Sequence, residues 1–354
     1  MARRALDRRL VPRRCVRVRT LARLGVLSAA VAMAAACGGS SQASSGTGPV
    51  TVRYQGSANN VTLPELAQDL GYFSNIRLKW VGSTISGPQD IQSAATGQTD
   101  IGGAFSGAVV KLIQAGAPVK AVVNYYGSDQ KSFIGFYVTD NSPIRTPRDL
   151  IGKKIAVNTL GAHSEAVIDT YLTKNGLTPK EIDQVQLVVL PPNDTEQAIR
   201  RGQVDVGSLS GVLQDHAVAT GGLRSLFSDY GMFGAFNGGQ YVLREDFIAQ
   251  HPGAAKELVT GVAKAIEWER TTARSEVIAR FTSIIEKRGR NEKTDNLKYW
   301  KSVGVPAPGG VITDRDFTRW QGWLEGSGIV AKGALKPSEL YTNELNALAG
   351  AGTR

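Results

Sequence analysis

Cysteine is nearly absent from this chain of 354 residues. Only Cys15 and Cys37 occur, both near the N-terminus, so the long remainder can form neither a disulfide nor a thiolate metal site. Histidine is almost as scarce: His163, His216 and His251 are the three, with no metal-ligand spacing among them. No Gly-rich phosphate loop ending in Lys-Ser or Lys-Thr is present. Gly207-Ser208-Leu209-Ser210-Gly211 has the outline of a nucleophile elbow, yet Leu209 stands in the nucleophile's place. His163 and Ser164 are neighbours, and adjacent residues on a helix point about 100° apart, whereas triad members must face one another. These absences argue against an enzyme, against a metal and against a cofactor.

Basic surface is also missing where it would matter. The formal net charge of +10 is concentrated at one end: nine of the 41 basic residues, but one of the 31 acidic ones, fall in residues 1–36. The body is left with 32 against 30, nearly neutral, which offers no stripe for a nucleic acid.

The charged end reads as an address. Arginines crowd residues 3–23, and Leu24 to Ala36 is an uncharged run of 13 residues, too short for a bilayer that takes about 20. A basic segment, a short apolar segment and small residues describe a secretory signal over 1–36. Ala34-Ala35-Ala36-Cys37 resembles the lipobox of bacterial lipoproteins, whose Cys is diacylated and becomes the first residue. The resemblance implies an exported protein anchored through Cys37 to the outer face of the cytoplasmic membrane; the alternative is an ordinary signal with a free Cys nearby. Residues 37–49 are Gly- and Ser-rich and suit a flexible tether.

The stretch around which the body is organised occurs twice. Gly97-Gln98-Thr99-Asp100-Ile101-Gly102 returns as Gly202-Gln203-Val204-Asp205-Val206-Gly207. Each copy follows a short helical pattern, with a strand in front (Ile76 to Val81, Val185 to Leu190) and a Ser-Gly loop behind. The Gly of each core stands where a helix needs a left-handed residue to stop. Strand, loop, helix, strand, loop is the unit, and parallel β-α-β units place ligands at the carboxyl ends of their strands. Two such units predict two lobes facing one cleft.

The rest fits around them. Val50 to Tyr54 reads as a first strand, Leu63 to Phe73 as a helix, Val119 to Tyr125 as a buried strand and Phe133 to Val138 as a crossing between lobes. Thr159 to Ser164 is a Gly-containing loop opening a helix that Gly176 closes, suited to an anion. Gln240 to Leu243 returns to the first lobe. Phe317, Trp320, Trp323 and Leu324 recur at helical steps in the tail and read as core. Phe105, Tyr125, Tyr126 and Phe236 hint at a flat or apolar ligand moiety.

With Ser86-Gly87-Pro88, the repeated cores, Asp149 to Val157 and Gly176-Leu177 on the page, residues 50–345 resemble the solute-binding proteins of the sulfonate/nitrate/taurine ABC-importer family, close to the pyrimidine-precursor binders. The resemblance implies an α/β, two-lobed periplasmic-binding-protein fold (type II), each lobe a mostly parallel sheet flanked by helices, with two hinge crossings. The first lobe would take 50–138 plus 238–350, the second 139–237. It also implies a monomer, a small-molecule solute and, as partner, an ABC permease with its ATPase. The family's contacts fall on Gln55, Asn59, Ser86, Gly87, Phe105, Ser106 and Tyr126, then on Gly161, His163, Ser164, Asp194 and Ser210. The chain departs from the family at Ala162-His163, where Gly-Ser is commoner. An enzyme on the same fold and a ligand sensor are the alternatives.

Overall fold

The structure is a computed structural model that describes residues 48–350. The signal segment, Cys37 and most of the tether lie outside those residues. No helix among the described residues is long and apolar enough to cross a membrane.

Ten strands follow in chain order: β1 (Val50–Gly56), β2 (Ile76–Ser83), β3 (Ile101–Phe105), β4 (Val119–Ser128) and β5 (Ile134–Thr139). Then come β6 (Lys154–Val157), β7 (Gln186–Val189), β8 (Val206–Ser210), β9 (Leu223–Ser228) and β10 (Phe236–Arg244). β1 pairs with β2, β3-β10-β4 form a second sheet, and β7-β6-β8-β5-β9 form a third. The first two sheets are joined by a side chain. Asp100 N donates to the Arg53 carbonyl at 2.9 Å, and Arg53 N donates to the Asp100 carboxylate at 2.7 Å. With that junction counted, one half reads β2-β1-β3-β10-β4 and the other β7-β6-β8-β5-β9, the same order twice.

The repeated Gly-Gln-x-Asp sets that order. Asp205 repeats the junction of Asp100: its N–H donates to the Lys154 carbonyl at 3.0 Å and its carboxylate accepts from Lys154 N at 2.8 Å. Each Asp pins the start of its strand to the start of the neighbouring one. Gly97 and Gly202 end the preceding helices with φ of 75° and 67°, the left-handed stop expected of them. The helices Gly87–Ala95 and Pro192–Arg200 then lie closely over β3 and β8. A Cβ at Gly102 would come within 2.5 Å of the Asp90 carbonyl oxygen, and one at Gly207 within 2.6 Å of the Ile199 side chain.

The sheets are mixed rather than mostly parallel. β1-β2, β6-β7 and β6-β8 are parallel, whereas β10 is antiparallel to β3 and β4, and β5 to β8 and β9. β5 and β10 are the strands that arrive from the other half, and each runs against the strands it joins. β5 belongs to the five-stranded sheet, so the chain passes from one sheet order to the other through 129–133. It returns through 229–235.

One apolar cluster is built from both halves, including Phe105 and Val109 of the first with Ile155, Val167 and Ile168 of the second. A second cluster packs the helices Pro252–Thr271 and Arg274–Lys287 against the first half, and a third lies within the second half. Phe317, Trp320 and Leu324 are buried as their spacing predicts; removing Phe317 from water contributes about 2 kcal/mol. Trp323 is half-buried, and its indole N–H donates to Asp169 of the second half at 2.9 Å.

Candidate functional site

Aromatic rings of the first half pack against glycine backbone beside the point where His163 of the second half meets them. Tyr125 and Tyr126 leave β4 next to each other, their rings 4.9 Å apart and edge-on. Tyr125 stacks on Tyr241 of β10 at 4.2 Å. The rings lie this close to the sheet because no Cβ intervenes: at Gly103 one would sit 2.7 Å from Tyr125, at Gly239 2.3 Å from Tyr126.

His163 enters from the second half as the first residue of the helix His163–Lys174. It is buried, and its ring stacks on Phe105 with centroids 5.1 Å apart and planes 2° from parallel. Trp320 and Phe236 meet it edge-on. The Tyr126 hydroxyl lies 3.4 Å from Nδ1. A hydroxyl donating there puts the ring proton on Nε2, which faces Asp229 Oδ2 at 3.5 Å, long for a hydrogen bond. Burial pushes the imidazole down to about 3, so it is neutral at physiological pH.

Two buried carboxyls flank this row. Asp229 opens the helix Asp229–Phe233 at the return crossing. Its Oδ1 accepts from the Ser128 hydroxyl, Ile134 N and Tyr230 N at 2.6–3.0 Å, while Oδ2 has no hydrogen-bond partner. Asp90 sits in the first turn of the helix Gly87–Ala95. Its Oδ2 accepts from Gly103 N at 2.7 Å and its Oδ1 has no partner. Burial pushes both acids up to about 7. Neither residue stood out in the sequence. Asp90 reads as an ordinary acid near a helix start, and Asp229 depends on partners about a hundred residues away.

The expected contacts divide. Phe105, Tyr126 and His163 come together, and Ser164 is buried beside His163 in the same helix. Gln55, next to last in β1, has a buried side-chain oxygen with no partner. Ser86 and Gly87 open their helix with the Ser86 hydroxyl making no capping bond, and Gly87 packs on Ala104. Across the seam Asn158 donates to the Ile85 carbonyl at 3.2 Å. Gly161 is left-handed, and its N–H donates to Glu165. Ser106 turns inward, donating to the Gly238 carbonyl and accepting from Gln240, which in turn donates to Asn124. Asn59 is tied to Glu292 and Lys293 by its backbone N–H and side-chain oxygen. Asp194 and Ser210 are exposed at the starts of their helices. Two hollows lie elsewhere. One of about 500 Å³ lies among Lys131, Phe133, Asp215 and Lys301, and one of about 470 Å³ among Tyr54, Trp80, Arg288 and Arg290.

Among the described residues no cluster of His, Cys, Asp or Glu could hold a metal ion. His216 pairs with Glu196 at 2.8 Å, away from His163.

Residues 59–272, more than half of the chain, match the NMT1/THI5-like family. The chain belongs to that family. A search of curated proteins returns no match. Solved structures agree on the fold. The periplasmic aliphatic sulphonate binding protein SsuA from Escherichia coli superposes with a TM-score of 0.62 at 18% identity, over 83% of this chain and 92% of that one. The periplasmic nitrate-binding protein NrtA from Synechocystis PCC 6803 gives 0.64 at 13%, over 84% and 87%. The desulfurization enzyme DSZB gives 0.54 at 15%, over 84% and 97%. This NMT1/THI5-like chain thus has the periplasmic-binding-protein fold, on which both binding proteins and an enzyme are built.

Proposed function

We propose that the protein is an exported, lipid-anchored solute-binding protein. It captures a small polar organic solute, sulfonate, taurine-like or heterocyclic, between its halves and delivers it to the permease of an ABC importer. The observation that carries this reading is His163. A side chain of the second half lies flat on Phe105 of the first and within reach of Tyr126, with an unpartnered Nε2 beside an unpartnered carboxylate oxygen. An unpartnered buried polar atom costs about 1–3 kcal/mol, and a solute's polar groups would offset that cost on closure. The crossings at 129–133 and 229–235 suit hinge closure. The names of the sulphonate- and nitrate-binding neighbours favour capture of a small polar solute, and the signal-like N-terminus favours export.

The enzyme reading has one observation behind it, the file of Tyr126, His163 and Asp229 on a fold that also carries an enzyme. An imidazole held down to about 3 is a poor general base at neutral pH, so binding is the stronger reading.

A thermal-shift screen of sulfonates, nitrate, pyrimidines and amino-acid-like solutes tests it. A solute at a hundred times its Kd adds about 2.7 kcal/mol, a rise in Tm of several degrees. A flat response across the screen would sink the binding reading. Cys37→Ser should move the protein from membranes to the soluble fraction; fractionation that does not change would refute the anchor.

A further inference from the structure

We propose that the solute is a flat organic cation, a planar ring bearing a protonated nitrogen, with Asp90 as its counter-ion and the Tyr125–Tyr126 edge as its wall. The inference rests on the binding reading and gives it a ligand class. Asp90 is 8% exposed, and one carboxylate oxygen has no partner in the protein. The other is fixed by Gly103 N, so the free oxygen is held in one orientation. Asp229, fully buried, repeats the pattern at the far end of the tyrosine row, with Oδ1 satisfied and Oδ2 free.

The charges acting on that row all have one sign. Tyr125 feels Asp90, Tyr126 feels Asp229, and Tyr241 feels Asp90, Glu65 and Glu269. Glu65 is paired with Arg288 and Arg290; Asp90 is bound only by an uncharged backbone N–H. The guanidinium near the site is Arg319, which lies over the rings of Phe233 and Phe236 with a buried, unpartnered Nε, at the Asp229 end of the row rather than at Asp90. The imidazole of His163 is neutral. An oxyanion placed at Asp90 would add a negative charge beside an acid on which no cation acts. A protonated nitrogen would meet a free carboxylate oxygen, and its ring would find aromatic faces. Binding must then also expel the proton that the buried acid holds when the site is empty.

Calorimetry with two probes that share a ring tests this on the full chain at pH 6.5. Benzamidine, a cation, should bind at least tenfold more tightly than benzenesulfonate, an anion, and should release protons into the buffer. Asp90→Asn keeps the acceptor for Gly103 N and should lose at least tenfold in benzamidine affinity while remaining folded; Asp229→Asn should lose less. Benzenesulfonate binding in preference to benzamidine would overturn the cation and leave the binding protein standing. Neither probe binding while another solute of the screen does would have the same meaning. A screen without any binder would remove both.

Discussion

The two halves are copies at one end of their strands and differ at the other. At the amino ends, Asp100 and Asp205 make the same junction to Arg53 and Lys154, and every bond in it is satisfied. At the carboxyl ends the first half presents Phe105, Tyr125 and Tyr126, while the second presents His163 and two exposed helix starts at Asp194 and Ser210. The unpartnered carboxylate oxygens of Asp90 and Asp229 lie there with the unpartnered atoms of Gln55 and His163, whereas the atoms without a hydrogen bond beside the junction are the Thr99 hydroxyl and Arg244 Nε and not the carboxylates that make it. The difference separates two uses of a polar side chain. One end spends it on register, where satisfaction matters; the other leaves it open, where a ligand can complete it.

The largest effect should come from breaking the satisfied end. Asp100 is buried and takes the Arg53 side chain at 2.7–3.0 Å besides the backbone N–H, with Arg244 also nearby at 3.7 Å. Asp100→Ala leaves a guanidinium and a backbone donor without their acceptor and should cost about 4 kcal/mol in urea unfolding. Asp205 makes the same junction in solvent, with only the backbone N–H to hold. Asp205→Ala should cost about 1 kcal/mol. Equal losses would mean that the motif, and not its burial, sets the energy.

The open end should answer in the opposite direction. Asp90 titrates at about 7 in the folded protein against 3.8 in an open chain, chiefly because burial disfavours its charge. The folded state therefore holds the extra proton between those values, so stability falls as pH rises through 3.8 to 7 and stays low above it. Asp90→Asn carries no proton to lose. Its unfolding free energy in the empty protein should equal that of the wild type near pH 3 and exceed it by about 4 kcal/mol at pH 8. A variant less stable at pH 8 would show that the carboxylate is satisfied in the protein, and would move it to the register class.

How far the sequence revealed this follows the same division. The junctions are local. A left-handed Gly, an Asp and a β-branched residue within six positions state both the helix stop and the strand start, so the repeat and the two halves could be read directly. β5 and β10 could not be placed so well, because their direction depends on which half the chain comes from. At the site, Phe105, Tyr126 and His163 were legible as loop ends that one fold brings together. Ser106 was legible as a position but not as a role, since its hydroxyl is engaged by Gln240, 134 residues away. Asn59 likewise looks like a loop contact until Glu292 and Lys293 arrive beside it. Asp90 and Asp229 were hidden for the converse reason: what makes them notable is a partner that never comes.

The smallest effect concerns the second half's open positions. Asp194 lies exposed in the first turn of Pro192–Arg200, and its charge favours that helix end by a few tenths of a kcal/mol. Asp194→Ala should therefore leave stability within about 0.5 kcal/mol. If this helix start reaches the solute when the halves close, affinity should still fall severalfold in titration calorimetry, because an exposed group in the empty protein becomes a contact in the closed one. Unchanged affinity would place Asp194 outside the site and leave His163 as the main contribution of the second half. The duplicated unit would then have kept its register twice and its ligand contacts mainly once.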